Sequence, residues 1–99
     1  MLNVIILCGG KGERLRPLTN NIPKPMIEIN EKPILSYIIK HLGIYGINDL
    51  IFALGYKSKI IHEYLTSCNK DMIFQTVDSG DVDIIKRIQD ASTYIKSVF

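Results

Sequence analysis

Residues 4–12 read Val4-Ile5-Ile6-Leu7-Cys8-Gly9-Gly10-Lys11-Gly12, an apolar run that stops on glycine. Val4 to Leu7 is a continuous, mostly β-branched run with no polar face, which suits a strand covered on both sides in a parallel sheet. Glycine then replaces side chains where the chain leaves that strand. From Cys8 to Pro25 the sequence holds three glycines, three prolines, two arginines and two lysines. Punctuation of this density marks a long loop, with a helical turn expected around Arg14 to Leu18. Loops of such length in compact domains carry function or stay disordered. Met26 to Ile29 is expected to return as a short extended piece.

Beyond the loop the apolar residues change period. Ile34, Leu35, Ile38, Ile39 and Leu42 lie on one stripe of a helix, Pro33 suits its first turn, and Gly43 or Gly46 closes it. Asp49 to Leu54 is a second buried-strand candidate, ending at Gly55. Ser58 is placed to cap a helix carrying Ile60, Ile61, Tyr64 and Leu65. Met72 to Val77 reads as a third strand. Ile84, Ile85, Ile88, Ala91 and Ile95 mark a third helix, and Ser97-Val98-Phe99 is where another strand would begin. Strand, loop, helix, strand, helix, strand, helix is the order of an α/β layered fold with right-handed crossovers and a mostly parallel sheet. The sequence shows no internal repeat, low-complexity tract or linker to a second domain.

Bulk properties narrow the function classes. A chain of 99 residues supports one modest core, and 46% hydrophobic with 22% charged residues is a folding composition. A formal charge of +2 argues against nucleic acid or an anionic membrane as partner, because those leave a dense basic stripe or tail. Cys8 and Cys68 match no metal or redox spacing, so a reduced setting is expected. The opening Met1-Leu2-Asn3-Val4-Ile5-Ile6-Leu7 lacks a basic leader and meets glycine before a signal-peptide core or membrane span forms, so a cytoplasmic location is expected.

The chemistry concentrates in the loop. In open α/β sheets the ligand crevice lies beyond the carboxyl ends of the strands, where Gly9-Gly10-Lys11-Gly12 falls. Glycine lets backbone N–H groups approach a phosphate and permits the positive φ angles of an anion-holding concavity. Arg14 adds a bidentate donor and Lys24 a compact charge. Pro23 and Pro25 flank Lys24, which is therefore expected on stiff, extended backbone. Glycines after a strand also serve as plain turn punctuation, and loop cations are often merely solvated; it is the combination that points to polyphosphate. A Walker A loop is absent. A dinucleotide fingerprint fails because its third glycine position, counted from Gly10 and Gly12, is Leu15, which argues against a nicotinamide cofactor.

Residues 4–35, VIILCGGKGERLRPLTNNIPKPMIEINEKPIL, resemble the opening signature of the sugar-1-phosphate nucleotidyltransferases, G-G-x-G-x-R-L-x-P-L-T followed by P-K-P-M/L and a K-P-I/M/L helix start. The similarity continues through HLGIYGINDLIFALGY and, more weakly, through TVDSGDVDIIKRIQDASTYIKSVF, which is similar to the cytidylyltransferase-like branch. The resemblance implies a Rossmann-like three-layer α/β/α fold. It also implies transfer of NMP from an NTP such as CTP, UTP or dTTP to a sugar-1-phosphate or similar phosphorylated molecule, with release of pyrophosphate. It assigns Leu7, Gly9 and Gly10 to the base and sugar of the nucleotide, Gly12 and Arg14 to the triphosphate, and Lys24 to the phosphates at the reacting centre. Arg14 and Lys24 are thus the catalytic candidates.

The family's Mg²⁺ is held by an aspartate in a turn after the next strand, and a further half of its fold holds the sugar. Both are expected beyond Phe99, so residues 1–99 are read as the N-terminal nucleotide-binding part of an incomplete nucleotidyltransferase domain. A second copy or the remainder of the enzyme is the expected protein partner. Two positions depart from the family pattern. Glu13 puts a carboxylate beside the phosphate loop unless it pairs with Lys11 or Arg16, and the stretch after Gly80 lacks a second glycine-rich contact near the base.

Other candidates have plainer readings. Asp78, Asp81 and Asp83 lack calcium-loop spacing, and Ser79 or Asp81 is expected to cap the third helix. His41 and His62 read as surface or satisfied side chains, Tyr56 as a packing residue on the ligand side, and Cys8 as a small buried residue. Two other functions remain open at this level: a non-catalytic nucleotide-sensing or interaction module, and a plain α/β domain with an incidental glycine loop.

Overall fold

The computed structural model describes residues 3–67, 72–80 and 82–93. Its elements are β1 (Asn3–Leu7), β2 (Glu28–Ile29), β3 (Lys32–Pro33), α1 (Ile34–Ile44), β4 (Asp49–Leu54), α2 (Ser58–Ser67), β5 (Ile73–Asp78) and α3 (Ile84–Ser92). Strands β1, β4 and β5 form a wholly parallel sheet in that order, with Asn3 opposite Asp49 and Asp49 opposite Ile73, while β2 and β3 make a separate two-stranded hairpin. The α/β architecture and parallel sheet expected from the alternating pattern are therefore present.

Strand β4 is central and buried at every position. Its side chains alternate between two cores, as the pleat requires. Leu50, Phe52 and Leu54 join Leu35 of α1 and Ile61 and Leu65 of α2 on one face, while Ile51 and Ala53 meet Ala91 of α3 on the other. Helices α1 and α2 thus cover one side of the sheet and α3 covers the other. On the first face the Phe52 and Phe74 rings meet edge to face at 6.2 Å.

Three local expectations need correction. Lys24 is not on extended backbone: it opens a 3₁₀ turn at Lys24–Met26, entered from an extended, buried Pro23. The N–H of Met26 reaches Pro23 O at 2.9 Å, and Pro25 is tolerated because the first residues of a helical turn need no donor. The cap of α3 is Asp83, whose carboxylate accepts from Lys86 N–H at 2.8 Å; Ser79 does not cap it, and Asp81 lies outside the described residues. The apolar stripe of α3 also turns outward: Ile84, Ile85 and Ile88 are 53%, 65% and 41% exposed, while Arg87 is buried. Ile95, Cys68 and Ser97-Val98-Phe99 lie outside the described residues, and Met72 precedes β5 without belonging to it.

Candidate functional site

Each of the three parallel strands meets glycine within two residues of its end, Gly9 after β1, Gly55 after β4 and Gly80 after β5, and these glycines come together. The chain leaves β1 through Cys8, whose N–H donates to Ala53 O at 2.8 Å, as though continuing the ladder. Gly9 O then accepts from Tyr56 N–H at 3.1 Å, which ties the loop after β1 to the loop after β4. A Cβ at Gly55 would lie 2.9 Å from Gly9 O, 3.0 Å from Arg87 Nη2 and 3.1 Å from Gly80 O. The 2.9 Å approach to a backbone oxygen is closer than a real Cβ comes and the other two are tight, so a side chain at Gly55 would push the strand ends apart.

The long loop folds back on itself as a set of short turns, 3₁₀ at Glu13–Leu15, Leu18–Asn20 and Lys24–Met26. Gly12 is the pivot. It sits at φ 60° and ψ 40°, the left-handed region in which glycine carries no Cβ penalty. Its carbonyl accepts from Leu15 N–H at 2.9 Å and from Thr19 Oγ1 at 2.8 Å. A Cβ here would lie 2.8 Å from Thr19 Cγ2 and 3.4 Å from Lys24 Cβ, so the fold brings Gly12 and Lys24 together across twelve positions of sequence. Tyr56 straps the far side of the loop, its hydroxyl donating to Thr19 O at 2.7 Å.

The residues singled out in the sequence fall as follows. Leu7 ends β1 and is half exposed; Gly9 is buried and Gly10 exposed beside it; Gly12 lies beside the Lys24 stem; Arg14 and Lys24 are both exposed, each on its own 3₁₀ turn. Glu13 leans away toward Arg16, Oε1 to Nη2 at 3.7 Å, an exposed pair of little energetic weight that nonetheless gives the carboxylate a partner. Cys8 is buried at the foot of the site, and burial pushes its thiol up to about 12, so it stays protonated and unreactive. His41 stacks edge-on with Tyr45, and His62 Nδ1 lies 3.4 Å from Thr76 Oγ1, so neither stands idle beside the loop.

Two features went unread in the sequence. Tyr56 is a strap for the phosphate-side loop, where the sequence suggests core packing; the Gly-Tyr pair after β4 was the available signal. Arg87, on α3, has its guanidinium packed against Gly9 and Gly55. Helical periodicity carries no hint of it, since the apolar stripe of α3 predicts its neighbours as the buried ones. A groove of about 890 Å³ lined in part by Asn48, Leu50 and Met72 lies at the opposite, amino-terminal end of β4 and β5, away from the glycine crevice.

A model of the family described as "Nucleotidyl transferase" matches residues 3–97. The probable glucose-1-phosphate cytidylyltransferase of Bacillus subtilis (strain 168) is 43% identical over 86 residues, covering 85% of this chain and 34% of that protein. The crystal structure of HddC from Yersinia pseudotuberculosis superposes with a TM-score of 0.86 at 31% identity, over 98% of this chain and 44% of that one. HddC complexed with GMP-PN superposes with a TM-score of 0.83 at 30% identity, with the same coverage. This chain therefore spans about a third of the Bacillus relative and less than half of HddC.

Proposed function

Because this chain belongs to the nucleotidyl transferase family, we propose that it forms the nucleotide-binding part of an enzyme moving NMP from an NTP to a sugar-1-phosphate or similar phosphorylated small molecule. The acceptor's phosphate oxygen attacks the α-phosphorus, the bond to the β-phosphate breaks, and pyrophosphate leaves. Such transfers depend on positioning and on stabilising charge spread over phosphate oxygens. Gly9, Gly10 and Gly12 present backbone amides to the nucleotide, with Leu7 against its base and sugar. Arg14 then pairs with the triphosphate, and Lys24 sits at the reacting phosphates.

One observation supports this reading: the loop packs the Cβ of Lys24 beside the left-handed Gly12, and Thr19 and Tyr56 tie that loop together. A left-handed glycine turn with a lysine mounted beside it, at the carboxyl ends of parallel strands, suits an anion. The GMP-PN complex of HddC supports a nucleotide as its occupant.

Mg²⁺ is proposed as the metal of the complete enzyme, where it neutralises charge between the phosphates. Among the described residues no three His, Cys, Asp or Glu side chains gather in a way that holds a metal ion, so the residues present do not fit that role. No helix among the described residues is long and apolar enough to cross a membrane. A cytoplasmic enzyme without nucleic-acid or membrane partners is the reading we adopt. A non-catalytic nucleotide-binding or interaction module is the second reading.

Titration calorimetry with CTP, UTP, dTTP and GTP, with and without Mg²⁺, tests both. Heat of binding with at least one triphosphate is expected, and its absence with all four removes both readings. Binding without pyrophosphate release in the presence of glucose-1-phosphate favours the second.

A further inference from the structure

We propose that Arg87 is a positioning residue of the nucleotide cradle, packing its guanidinium into the space that Gly9 leaves open and placing a fixed positive charge beside the phosphate-facing amides. The proposal rests on the reading of Gly9 to Lys24 as a polyphosphate site.

The first observation is burial. Arg87 is 7% exposed, on a helix whose isoleucines face outward. Arginine is almost never fully buried unless paired, and an isolated buried cation is costly. Yet no described carboxylate forms an ion pair with Arg87. Among the described residues its one side-chain hydrogen bond runs from Nη2 to Val82 O at 2.8 Å, and its buried Nε finds no partner there. An apolar side chain of similar volume would fill the same space at lower cost, so stability does not account for a guanidinium here.

The second observation is position. A Cβ at Gly9 would collide with Arg87 Nε and sit 2.5 Å from its Cζ, while one at Gly55 would meet Nη2 at 3.0 Å. The guanidinium therefore occupies a notch that opens only because the residues after β1 and β4 lack side chains. That notch is the floor of the crevice at the carboxyl ends of the strands, where open α/β sheets receive their ligands. A charge screened from water by these loops acts on a bound polyphosphate more strongly than an exposed one at the same distance.

The local structure holds the arginine in place. Gly80 N–H donates to Asp78 Oδ1 at 2.9 Å, Ser79 Oγ donates to Asp90 Oδ2 at 2.5 Å, and Asp83 caps α3 one turn before Arg87. The turn after β5 is thus tied to the last turn of α3 through Asp90, and Arg87, one turn earlier on that helix, packs against Gly9.

The test is calorimetric titration of the chain with CTP and with CMP, for the parent and for Arg87→Met, Arg87→Lys and Arg14→Ala. Arg87→Met keeps the volume without the charge. It is expected to weaken CTP binding about tenfold and CMP binding about twofold, to flatten the salt dependence, and to leave Tm unchanged or raised. Arg87→Lys is expected to restore most of the CTP affinity. CTP binding by Arg87→Met equal to the parent's overturns the proposal, as does an equal loss for CTP and CMP. Should Arg87→Met fail to fold, Arg87→Lys decides: a retained preference for CTP over CMP within about threefold of the parent's supports the proposal, and loss of that preference overturns it. A parent that binds none of CTP, UTP, dTTP and GTP removes the cradle reading itself, and where another triphosphate binds in place of CTP the same comparison is run with it and its monophosphate; a parent that binds, with Arg14→Ala impaired and Arg87→Met unimpaired, removes Arg87 alone.

Discussion

Arg14 and Lys24, proposed as phosphate ligands, are open to solvent, whereas Arg87, proposed as a positioning residue, is buried. Both are exposed on 3₁₀ turns, so neither contributes much to the core. Truncating either to alanine is expected to weaken triphosphate binding about tenfold while moving Tm by no more than about 4 °C, since exposed substitutions generally stay within about 0.5 kcal/mol. Calorimetry paired with a thermal melt checks both halves, and a large drop in Tm would show the side chains to be structural. Cys8 gives the contrasting case. Its thiol, pushed up to about 12 by burial, is expected to resist iodoacetamide at pH 8 in the folded chain and to react once urea unfolds it. Peptide mapping by mass spectrometry distinguishes it from Cys68.

Among the elements, β4 was the most legible and α3 the least. The run Asp49 to Leu54 has no polar face after its first residue, and the strand is buried at all six positions. Phe52 is fully buried between α1, α2 and Phe74, so Phe52→Ala is expected to cost about 3–5 kcal/mol, measured by urea denaturation. Helix α3 shows the opposite outcome. Its period predicts a helix that is present, but of the periodic residues only Ala91 is buried while Ile84, Ile85 and Ile88 face outward, because hydrophobic spacing locates a stripe without saying which neighbour covers it. The helix is held partly by charge: Lys86 Nζ lies 2.8 Å from Asp90 Oδ1, and Ser79 donates to the same carboxylate. The hydrogen bond from Lys86, then that from Ser79, hold the Asp90 carboxyl below its ordinary range, and the bond to Asp90 raises Lys86. A depressed carboxyl adds stability above its unfolded pKa, about 3.9, that is lost as pH falls through the folded value. A raised lysine adds stability below its unfolded pKa, about 10.4, that is lost as pH rises through the folded one. Asp90→Asn is therefore expected to lower Tm slightly between about pH 5 and 9, and the difference should vanish at pH 2.

At the scale of the whole molecule, the unevenly covered surface is the feature with consequences. Ile84, Ile85 and Ile88 on α3, with Ile44 and Tyr45 at the end of α1, are large apolar side chains open to solvent. Exposed groups of this kind mark surfaces that bind or aggregate. The isolated chain is expected to self-associate at high concentration, seen as a rising apparent mass in light scattering. Ile85→Glu is expected to reduce that association without lowering Tm. A monodisperse monomer across the concentration range would count against the idea that these faces seek a partner.

The sequence by itself determined the order of strands and helices, the parallel sheet, and the loop in which glycine, arginine and lysine gather, because periodicity and glycine placement act locally along the chain. It could also place the cradle at the carboxyl end of β1, since that follows from strand order alone. Only the tertiary structure decided that the Lys24 stem packs beside Gly12, that Tyr56 straps the loop, and that the Arg87 guanidinium packs against Gly9. Each of these joins residues far apart in the chain through a contact that exists only after the strand ends converge, and no local pattern encodes a distance between loops.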